Sequence, residues 1–435
     1  MSKYPQIFHG EWWVPAVADY NTRMLALQPE QMMGLENKYT GTLTYYGDAE
    51  TSLELYHVPS NFHSRYYYEN EVMWGKDANG HIFTLFNVSL KEPRLGDFTC
   101  TKFTVSIILM GEHVLSINDE IWKKSVVRFD HLNNWLFNET KKYINFIKDN
   151  NAFHLDAARG NRVQLDATIE DGLHWKLGSR ITVSEDLGEI SFSQNTFLEV
   201  EASKPISFTT ITKHIGEFEQ FLSIALYCEQ SFDSIQLFSV NREQECVLLI
   251  KKEKSVDPVF FSLVKYDLLK GKLPSMLKKW HENFDRIAPI SSYLIDSLQK
   301  KSRFDVPDFL IIAQALDGYH KRFVNKKDGK DHQKYEDGIR ILLEQFKDVD
   351  CIKKCNINPI ILKDSRHFYS HLSPDEEKKS AVDSADLYWL TEKCKILLTC
   401  CILNMLGLTN EEINLCCETQ SPIKQIIDSF PIEID

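Results

Sequence analysis

The hydrophobic period of the sequence changes once, near Lys272, and this change limits the fold more than any other feature. Before it, short segments alternate apolar and polar residues and are separated by Gly, Asn, Asp and Pro, as β-strands are. After it, apolar residues recur about every 3.6 positions in longer segments, as in amphipathic helices. The sequence therefore predicts an α+β protein of several domains, in which β-rich sandwich-like or barrel-like domains precede an all-α helical bundle.

The β-rich part is predicted to contain two units. The strands of the first are predicted at Thr40–Tyr46, Ser52–Val58, Glu71–Trp74, His81–Ser89, Lys102–Met110 and Val126–Phe129. The Asn79-Gly80 pair predicts a type I′ hairpin turn, because both residues tolerate positive φ angles. A helix at Leu132–Asp149 is predicted to precede the second unit, whose last strand is Val259–Lys265. We therefore expect domains at residues 1–145, 146–271 and 272–435.

The helical part is predicted to form an antiparallel bundle, because its long amphipathic segments are joined by short links. Gly407 follows one apolar segment at the position where glycine commonly ends a helix. The predicted helices are Leu273–Arg286, Ser291–Lys300, Val306–Val324, Asp331–Phe346, Pro359–His371, Ala381–Leu406 and Glu411–Cys416.

Composition excludes several classes of protein. With 43% hydrophobic residues and only 14 prolines in 435 residues, the chain is neither disordered nor collagen-like. Seven of the ten cysteines fall in the last 85 residues, within or beside helical segments, where buried free thiols are expected. We see no basic leader followed by an apolar run and no segment of about 18 apolar residues. A cytoplasmic protein without membrane contact is expected.

Charge is uneven along the chain. The net charge is −12, which argues against a surface that coats nucleic acid everywhere. Residues 301–374, however, hold 14 Lys and Arg against 11 Asp and Glu, a net +3. The basic residues of this segment include Lys321, Arg322, Lys326 and Lys327. Two interpretations stay open: these residues contact an RNA backbone, or they form a solvated helix end.

The strongest local constellation of polar residues is Lys363–His371, with the sequence KDSRHFYSH. Asp364, His367 and His371 share one helical stripe, whereas Arg366 and His371, five residues apart, lie about 140° apart on an ideal helix. The two side chains can meet at one phosphate only if the helix starts or kinks near Arg366, or if a second copy of the chain supplies one of them across a dimer twofold.

These residue types suit cleavage of RNA by its own 2′-hydroxyl group. A histidine can take or give the proton near neutral pH, and the Arg366 guanidinium can hold the phosphoryl oxygens as negative charge develops. No metal is required, and no cofactor is expected because phosphate-binding glycine loops are absent from the sequence. Two further interpretations stay open: a surface helix, and a metal pair formed by His367 and His371 at i, i+4 spacing, although the HExxH glutamate is missing.

Both ends of the chain resemble one protein family. The segment KDSRHFYSHLSP (363–374), with FLIIAQALDGYHKR (309–322) on an earlier helix, resembles the C-terminal HEPN ribonuclease domain of the ApeA-like family. HGEWWVP (9–15), GTLTYYGDAETSLELY (41–56) and VVRFDHLNNWL (126–136) resemble the ApeA N-terminal domain. The two resemblances occur in the expected order.

The resemblance implies a bacterial anti-phage protein that acts by abortive infection, in which a HEPN dimer cleaves RNA without metal. Arg366 and His371 match the family motif, and Asp317 matches an acidic position that would orient the motif or contact substrate. His367 stands where the family often has asparagine, so either or both histidines are candidates to move the proton.

The expected partners are RNA, with tRNA as a candidate, a second copy of the chain, and a phage-derived trigger at the β-rich domains. Lys363 and Tyr369, beside the motif, join the basic residues above as candidate RNA contacts. Two alternatives are a HEPN domain that binds RNA without cleaving it, as a sensor, and a scaffold that recognises a phage protein through the β-rich domains.

Overall fold

Strands occupy the first part of the molecule and helices the last, as the change of period predicts. The computed structural model describes residues 5–15, 38–47, 49–58, 72–91, 100–136, 144–149, 152–157, 160–186, 189–242, 244–250, 261–299, 306–325, 334–374, 376, 378–418 and 420–431. Within these ranges the chain forms fourteen strands and eleven α-helices. The predicted α+β class, with a β-rich part before a helical bundle, is confirmed.

The first six strands close into an antiparallel barrel. Starting from β1, the strand order around the barrel is β2, β3, β6, β5 and β4, after which β4 pairs with β1 again. The strands are β1 (Gln6–Trp13), β2 (Tyr39–Tyr45), β3 (Thr51–Tyr56), β4 (Val72–Asp77), β5 (Ile82–Leu90) and β6 (Cys100–Met110). Alternate residues point inward, and Trp12, Leu43 and Phe103 are fully buried there.

Gly75 allows β1 and β4 to approach where the barrel closes. Trp12 pairs with Gly75, and a Cβ atom at position 75 would lie 2.1 Å from a ring carbon of Trp12. The glycine is therefore required by the bulk of the indole beside it.

A second run of strands extends the sheet out of the barrel. β14 pairs with β6, and the sheet continues through β13, β7, β12 and β11 to β10. These strands are β7 (Trp122–Phe129), β10 (Gly160–Glu170), β11 (Leu173–Asp186), β12 (Glu189–Ile206), β13 (Phe232–Ser239) and β14 (Cys246–Ile250), and β8 (Ile144–Asp149) and β9 (Ala152–Ala157) form a separate hairpin. A long helix packs on this sheet through Phe218, whose ring lies 5.4 Å from Phe129 and 5.9 Å from Trp175.

The helices share one hydrophobic core with this sheet. They are α1 (Leu132–Trp135), α2 (Phe208–Leu226), α3 (Tyr266–Leu269), α4 (Leu273–Gln299), α5 (Val306–Tyr319), α6 (Tyr335–Gln345), α7 (Asp350–Cys355), α8 (Pro359–His371), α9 (Ser384–Met405), α10 (Asn410–Glu418) and α11 (Pro422–Asp428). The α5 helix continues as a π-helix over His320–Val324. Gly407 ends α9 with φ +95°, as predicted, and the seven clustered cysteines are buried free thiols.

Two predicted elements of the β-rich part are wrong. The helix predicted at Leu132–Asp149 ends at Trp135, and residues 144–149 form β8, because β9 supplies a pairing partner that the period of a single segment does not reveal. The described end of the strand predicted at Val259–Lys265 is irregular. There the Val264 amide donates to the carbonyl of Ala225 and its carbonyl accepts from the Trp135 indole, so these backbone groups are bonded outside any sheet.

Two local details also differ from the prediction. In the hairpin turn only Gly80 has a positive φ, +88°, while the Asp77 carboxylate accepts hydrogen bonds from the amides of Asn79 and His81, so the turn is not type I′. The two helices predicted between residues 273 and 300 are one, α4, which contains Pro289. Burial of α4 on both sides of the proline offsets the lost backbone hydrogen bond. The domain boundaries near residues 145 and 271 stay predictions.

Candidate functional site

The predicted motif lies on α8, which begins and ends where the sequence indicates. The Asn358 side chain caps the first turn of α8 by accepting hydrogen bonds from the backbone amides of the two residues that follow Pro359. Pro359 occupies the first position of the helix. The helix is unbroken to His371 and ends at Leu372, which has φ +49°. Because no start or kink occurs near Arg366, α8 itself does not bring Arg366 and His371 together.

Arg366 is held from two neighbouring helices. Its guanidinium carbon lies 4.4 Å from the centre of the Tyr335 ring on α6, a cation–π contact. Its Nη2 atom donates to Oδ2 of Asp317 on α5 over 3.5 Å. The Tyr335 hydroxyl donates to the Ala313 carbonyl, and burial raises the pKa of that hydroxyl. Arg366 is thus fixed against the bundle, while 34% of its side chain stays exposed.

Asp317 has two cationic partners. Besides Arg366, it accepts a hydrogen bond from Lys321 Nζ at 2.9 Å, one turn along its own helix. The structure therefore brings together the acidic residue that the family resemblance singled out and the arginine of the motif. What Asp317 does in a reaction stays a prediction.

The two histidines of α8 lie on an exposed face. The rings of His367 and His371 are 4.5 Å apart at an angle of 50°, and both residues are exposed. Asp364 lies on the same stripe of α8, and its carboxylate accepts hydrogen bonds from Ser380 and Lys363. These hydrogen bonds lower the pKa of the Asp364 carboxyl. Both imidazoles are therefore accessible to a ligand.

The residues predicted to contact RNA differ in their surroundings. Lys321 is well exposed beside Asp317, and Arg322, also exposed, donates to the Arg286 carbonyl. Lys363 pairs with Glu336 at 3.2 Å and with its neighbour Asp364 at 3.4 Å.

Two further predicted lysines, Lys326 and Lys327, lie outside the described residues. Tyr369 faces the bundle, where its hydroxyl donates to the Val382 carbonyl and its ring meets Phe309 edge-on. Among the predicted RNA contacts that the structure describes, Lys321, Arg322 and Lys363 are therefore the more accessible.

A π-helix beside this site was not predicted. It begins at His320 and presents Lys321 and Arg322, and π-helical turns are frequent at functional sites. His320 is buried against Gly338, where an added Cβ would lie 3.0 Å from the imidazole. Burial lowers the pKa of His320. The backbone hydrogen bonds of a π-helix join residues five positions apart and leave no signature in the hydrophobic period, so the sequence does not reveal this turn.

Metal-ligating side chains group elsewhere. In the described part of the chain, groups of three or more such residues occur at Cys351, Cys400 and Cys417 and at His214, Glu217 and His281. Neither group includes His367 or His371. In the first, the Sγ atoms of Cys351 and Cys400 are 3.8 Å apart in the core, and thiol hydrogen bonds lower the pKa of Cys351.

The fold and the motif define a class of protein with a β-barrel and extended sheet followed by a helical domain that carries Arg366 and His371 on one helix. Comparison with known families agrees: residues 7–280 match the ApeA N-terminal domain 1, and residues 310–412 match the Apea-like HEPN domain. The chain therefore belongs to the ApeA-like family with a C-terminal HEPN domain, as its motifs indicate. No curated protein and no solved structure matches it significantly.

The HEPN match contains Asp317, Tyr335, Arg366 and both histidines of α8. Membership of this family supports a ribonuclease effector in anti-phage defence. None of the described helices combines the length and apolar character that a membrane crossing requires.

Proposed function

We propose that this protein is a cytoplasmic endoribonuclease effector of bacterial anti-phage defence that acts by abortive infection. The observation that carries the proposal is the anchoring of Arg366 by Tyr335 and Asp317, on the helix that ends in His371 and within the HEPN match. A guanidinium fixed in place but one-third exposed suits binding of a phosphate whose charge increases during reaction.

The proposed reaction needs only the RNA and side chains of the protein. His371 or His367, in its neutral form, removes the proton from a ribose 2′-hydroxyl group. The 2′-oxygen attacks the adjacent phosphorus, the bond to the 5′-oxygen breaks, and that oxygen takes a proton from an imidazolium. Arg366 stabilises the extra negative charge on the phosphoryl oxygens. The products are a 2′,3′-cyclic phosphate and a 5′-hydroxyl end, formed without metal.

We propose that the reactive form is a homodimer. Arg366 is held towards α5 and α6, whereas His371 lies at the exposed end of α8, about 140° further around the helix. A twofold axis beside α8 would allow Arg366 of one protomer to meet His371 of its partner at one phosphate. Lys321, Arg322 and Lys363 would then follow the RNA backbone, with tRNA as a candidate substrate.

The proposal is tested by mixing two inactive variants. Purified Arg366→Ala and His371→Ala proteins should each fail to cleave RNA, and EDTA should not inhibit the parent. If each site takes Arg366 from one protomer and His371 from the other, half of the dimers in a re-equilibrated mixture are heterodimers, and each heterodimer has one intact site. Cleavage then returns to about a quarter of the parent rate. Parent-like cleavage by both single variants, or products without a cyclic phosphate, would refute the proposal.

The alternative is a sensor that binds RNA without cleaving it, and its motivation is His367, which replaces the asparagine common in the family. In that case RNA survives incubation, and Arg366→Ala lowers its affinity instead of its turnover. Recognition of a phage-derived trigger by the β-rich domains fits either function. Retention of a phage protein by the full-length chain, unchanged by Arg366→Ala, would identify the scaffold role.

A further inference from the structure

Two histidines and two glutamates meet where the extended sheet joins the first long helix of the helical part. His214 and Glu217 lie on α2, His281 lies on α4, and Glu170 is the last residue of β10. The two imidazole rings are 5.4 Å apart at an angle of 37°. None of these residues belongs to the Arg366 site, which is built from α5, α6 and α8.

Glu217 orients both imidazoles. Its Oε2 atom accepts a hydrogen bond from Nδ1 of His281 at 2.7 Å and lies 3.5 Å from Nδ1 of His214. The other ring nitrogens then approach Glu170: Nε2 of His281 is 3.9 Å from one carboxylate oxygen and Nε2 of His214 is 4.0 Å from the other. A carboxylate behind the Nδ1 atom of a histidine, with Nε2 directed elsewhere, is the common arrangement around protein-bound metals.

The two residues that α2 contributes to the cluster are buried. The Glu217 side chain is fully buried and that of His214 is 3% exposed. Within the described residues, Nδ1 of His214 and Oε1 of Glu217 have no hydrogen-bond partner. Lys213 Nζ lies 3.8 Å from that Oε1 atom, so the Glu217 carboxylate has one cation beside it, whereas the two Nε2 atoms face the carboxylate of Glu170.

The cluster is open to solvent on the side of Glu170. A pocket of about 620 Å³ lies there, bordered by Glu170 and His281. Its charged rim holds four carboxylates against two lysines: Glu170, Asp171, Glu282, Asp285, Lys213 and Lys278. An acidic entrance to a pair of imidazoles attracts cations and gives an ion a path to the site.

We propose that His214, His281 and Glu170 bind one divalent transition-metal ion of the zinc class, with Glu217 as the residue that positions the imidazoles. Nitrogen and carboxylate ligands together suit zinc better than calcium or magnesium, which take oxygen ligands. Bond lengths near 2 Å place the ligands of a tetrahedral zinc ion about 3.3 Å apart. The Nε2 atoms of His281 and His214 lie 3.9 and 4.0 Å from different oxygens of Glu170, so binding of an ion requires the Glu170 side chain, which is 56% exposed, to move towards both imidazoles.

Such an ion would fasten β10, α2 and α4 to one another. Its role is therefore to stabilise the joint between the sheet and the helical domain. The proposed cleavage at Arg366 needs no metal, so the two proposals can fail separately.

The experiment measures metal content in the full-length, tag-free chain. After stripping with a chelator, dialysis against Zn²⁺ should restore one ion per chain, and Zn²⁺ at 100 times its Kd should raise Tm by about 3 °C. Glu170→Gln and His281→Gln should each weaken binding at least tenfold. Glu282→Gln, which removes the same charge from the same pocket rim, should leave affinity within about twofold. Glu170→Gln changes an exposed residue and therefore remains informative if His281→Gln does not fold.

Co²⁺ separates this site from the thiol group at Cys351. Cobalt bound by nitrogen and oxygen ligands gives visible bands without the strong near-ultraviolet thiolate band that cysteine ligands produce. The proposal is overturned by a thiolate band, by the lack of stoichiometric uptake, or by parent-like affinity in the Glu170→Gln protein.

Discussion

Substitution of Tyr335 tests whether the position of Arg366 governs RNA cleavage. The ring of Tyr335 supports the guanidinium at 4.4 Å, whereas the hydrogen bond from Arg366 to Asp317 is long, at 3.5 Å. Tyr335→Leu removes the aromatic ring. Tyr335→Phe is the matched control, because it keeps the ring and removes only the hydroxyl that donates to the Ala313 carbonyl.

The expected magnitudes follow from burial. A cation–π contact contributes about 0.5–1 kcal/mol when exposed and about 2 kcal/mol when desolvated. Because Arg366 is one-third exposed, we take about 1.4 kcal/mol for this contact. Its loss corresponds to about a tenfold lower cleavage rate if the contact fixes the arginine in the transition state. Tyr335→Phe removes one hydrogen bond to a carbonyl that is also bonded within α5, which costs about 1 kcal/mol of folding stability but little rate.

The assay is single-turnover cleavage of RNA, with thermal unfolding of each variant measured in the same buffer. We expect Tyr335→Leu to cleave about tenfold more slowly and Tyr335→Phe to stay within about twofold of the parent, although both unfold earlier. Equal rates for the folded Leu and Phe variants would refute the argument that the ring positions Arg366.

Two further predictions concern stability. Gly75→Ala should lower the free energy of unfolding, measured by urea titration, by about 3 kcal/mol, because its Cβ would meet the buried Trp12 ring. Gly216→Ala is the control and should not destabilise the protein, because its Cβ meets nothing within 4 Å. In metal-free protein, the stability lost on Glu217→Gln should be greatest between about pH 4.5 and 6.5. The pKa of Glu217 is lowered to about 2, so its contribution to folding stability is complete above pH 4.5 and is lost as pH falls towards 2. The pKa of His281 is raised, so its contribution to folding stability is complete below pH 6.5 and is lost as pH rises through the folded-state pKa. A flat difference from pH 3 to 9 would contradict this.

The local parts of the fold were predictable. Alternation along β2 and β3 indicates half-buried strands, and the 3.6-residue period predicts α8 over the residues that form it. Closure of the barrel depends on the pairing of β1 with β4 across more than fifty residues, which no local pattern records. The failure at β8 has the same cause, because that strand is defined by its partner.

The candidate site was predictable to a similar extent. Arg366 and His371 follow from residue chemistry and motif, and Asp317 from the family resemblance. Tyr335, which holds Arg366, is 31 residues away and looks like any aromatic residue of a helix. The cluster of His214 and His281 joins helices 67 residues apart, so it emerges only when α2 and α4 pack. Sequence spacing identifies chemical groups on one element, and tertiary packing decides which of them meet.

The end of α8 is a second feature that fits the proposed dimer. Leu372, directly after His371, is 89% exposed and has φ +49°, the left-handed conformation in which helices commonly end, with its amide donating to the Phe368 carbonyl. A partner protomer seated on this end of α8 would cover the leucine together with the two exposed imidazoles. Arg366 meanwhile faces its own bundle. In the proposed dimer, an arginine held towards its own bundle and histidines directed outwards are the halves of two sites, and the second copy completes both.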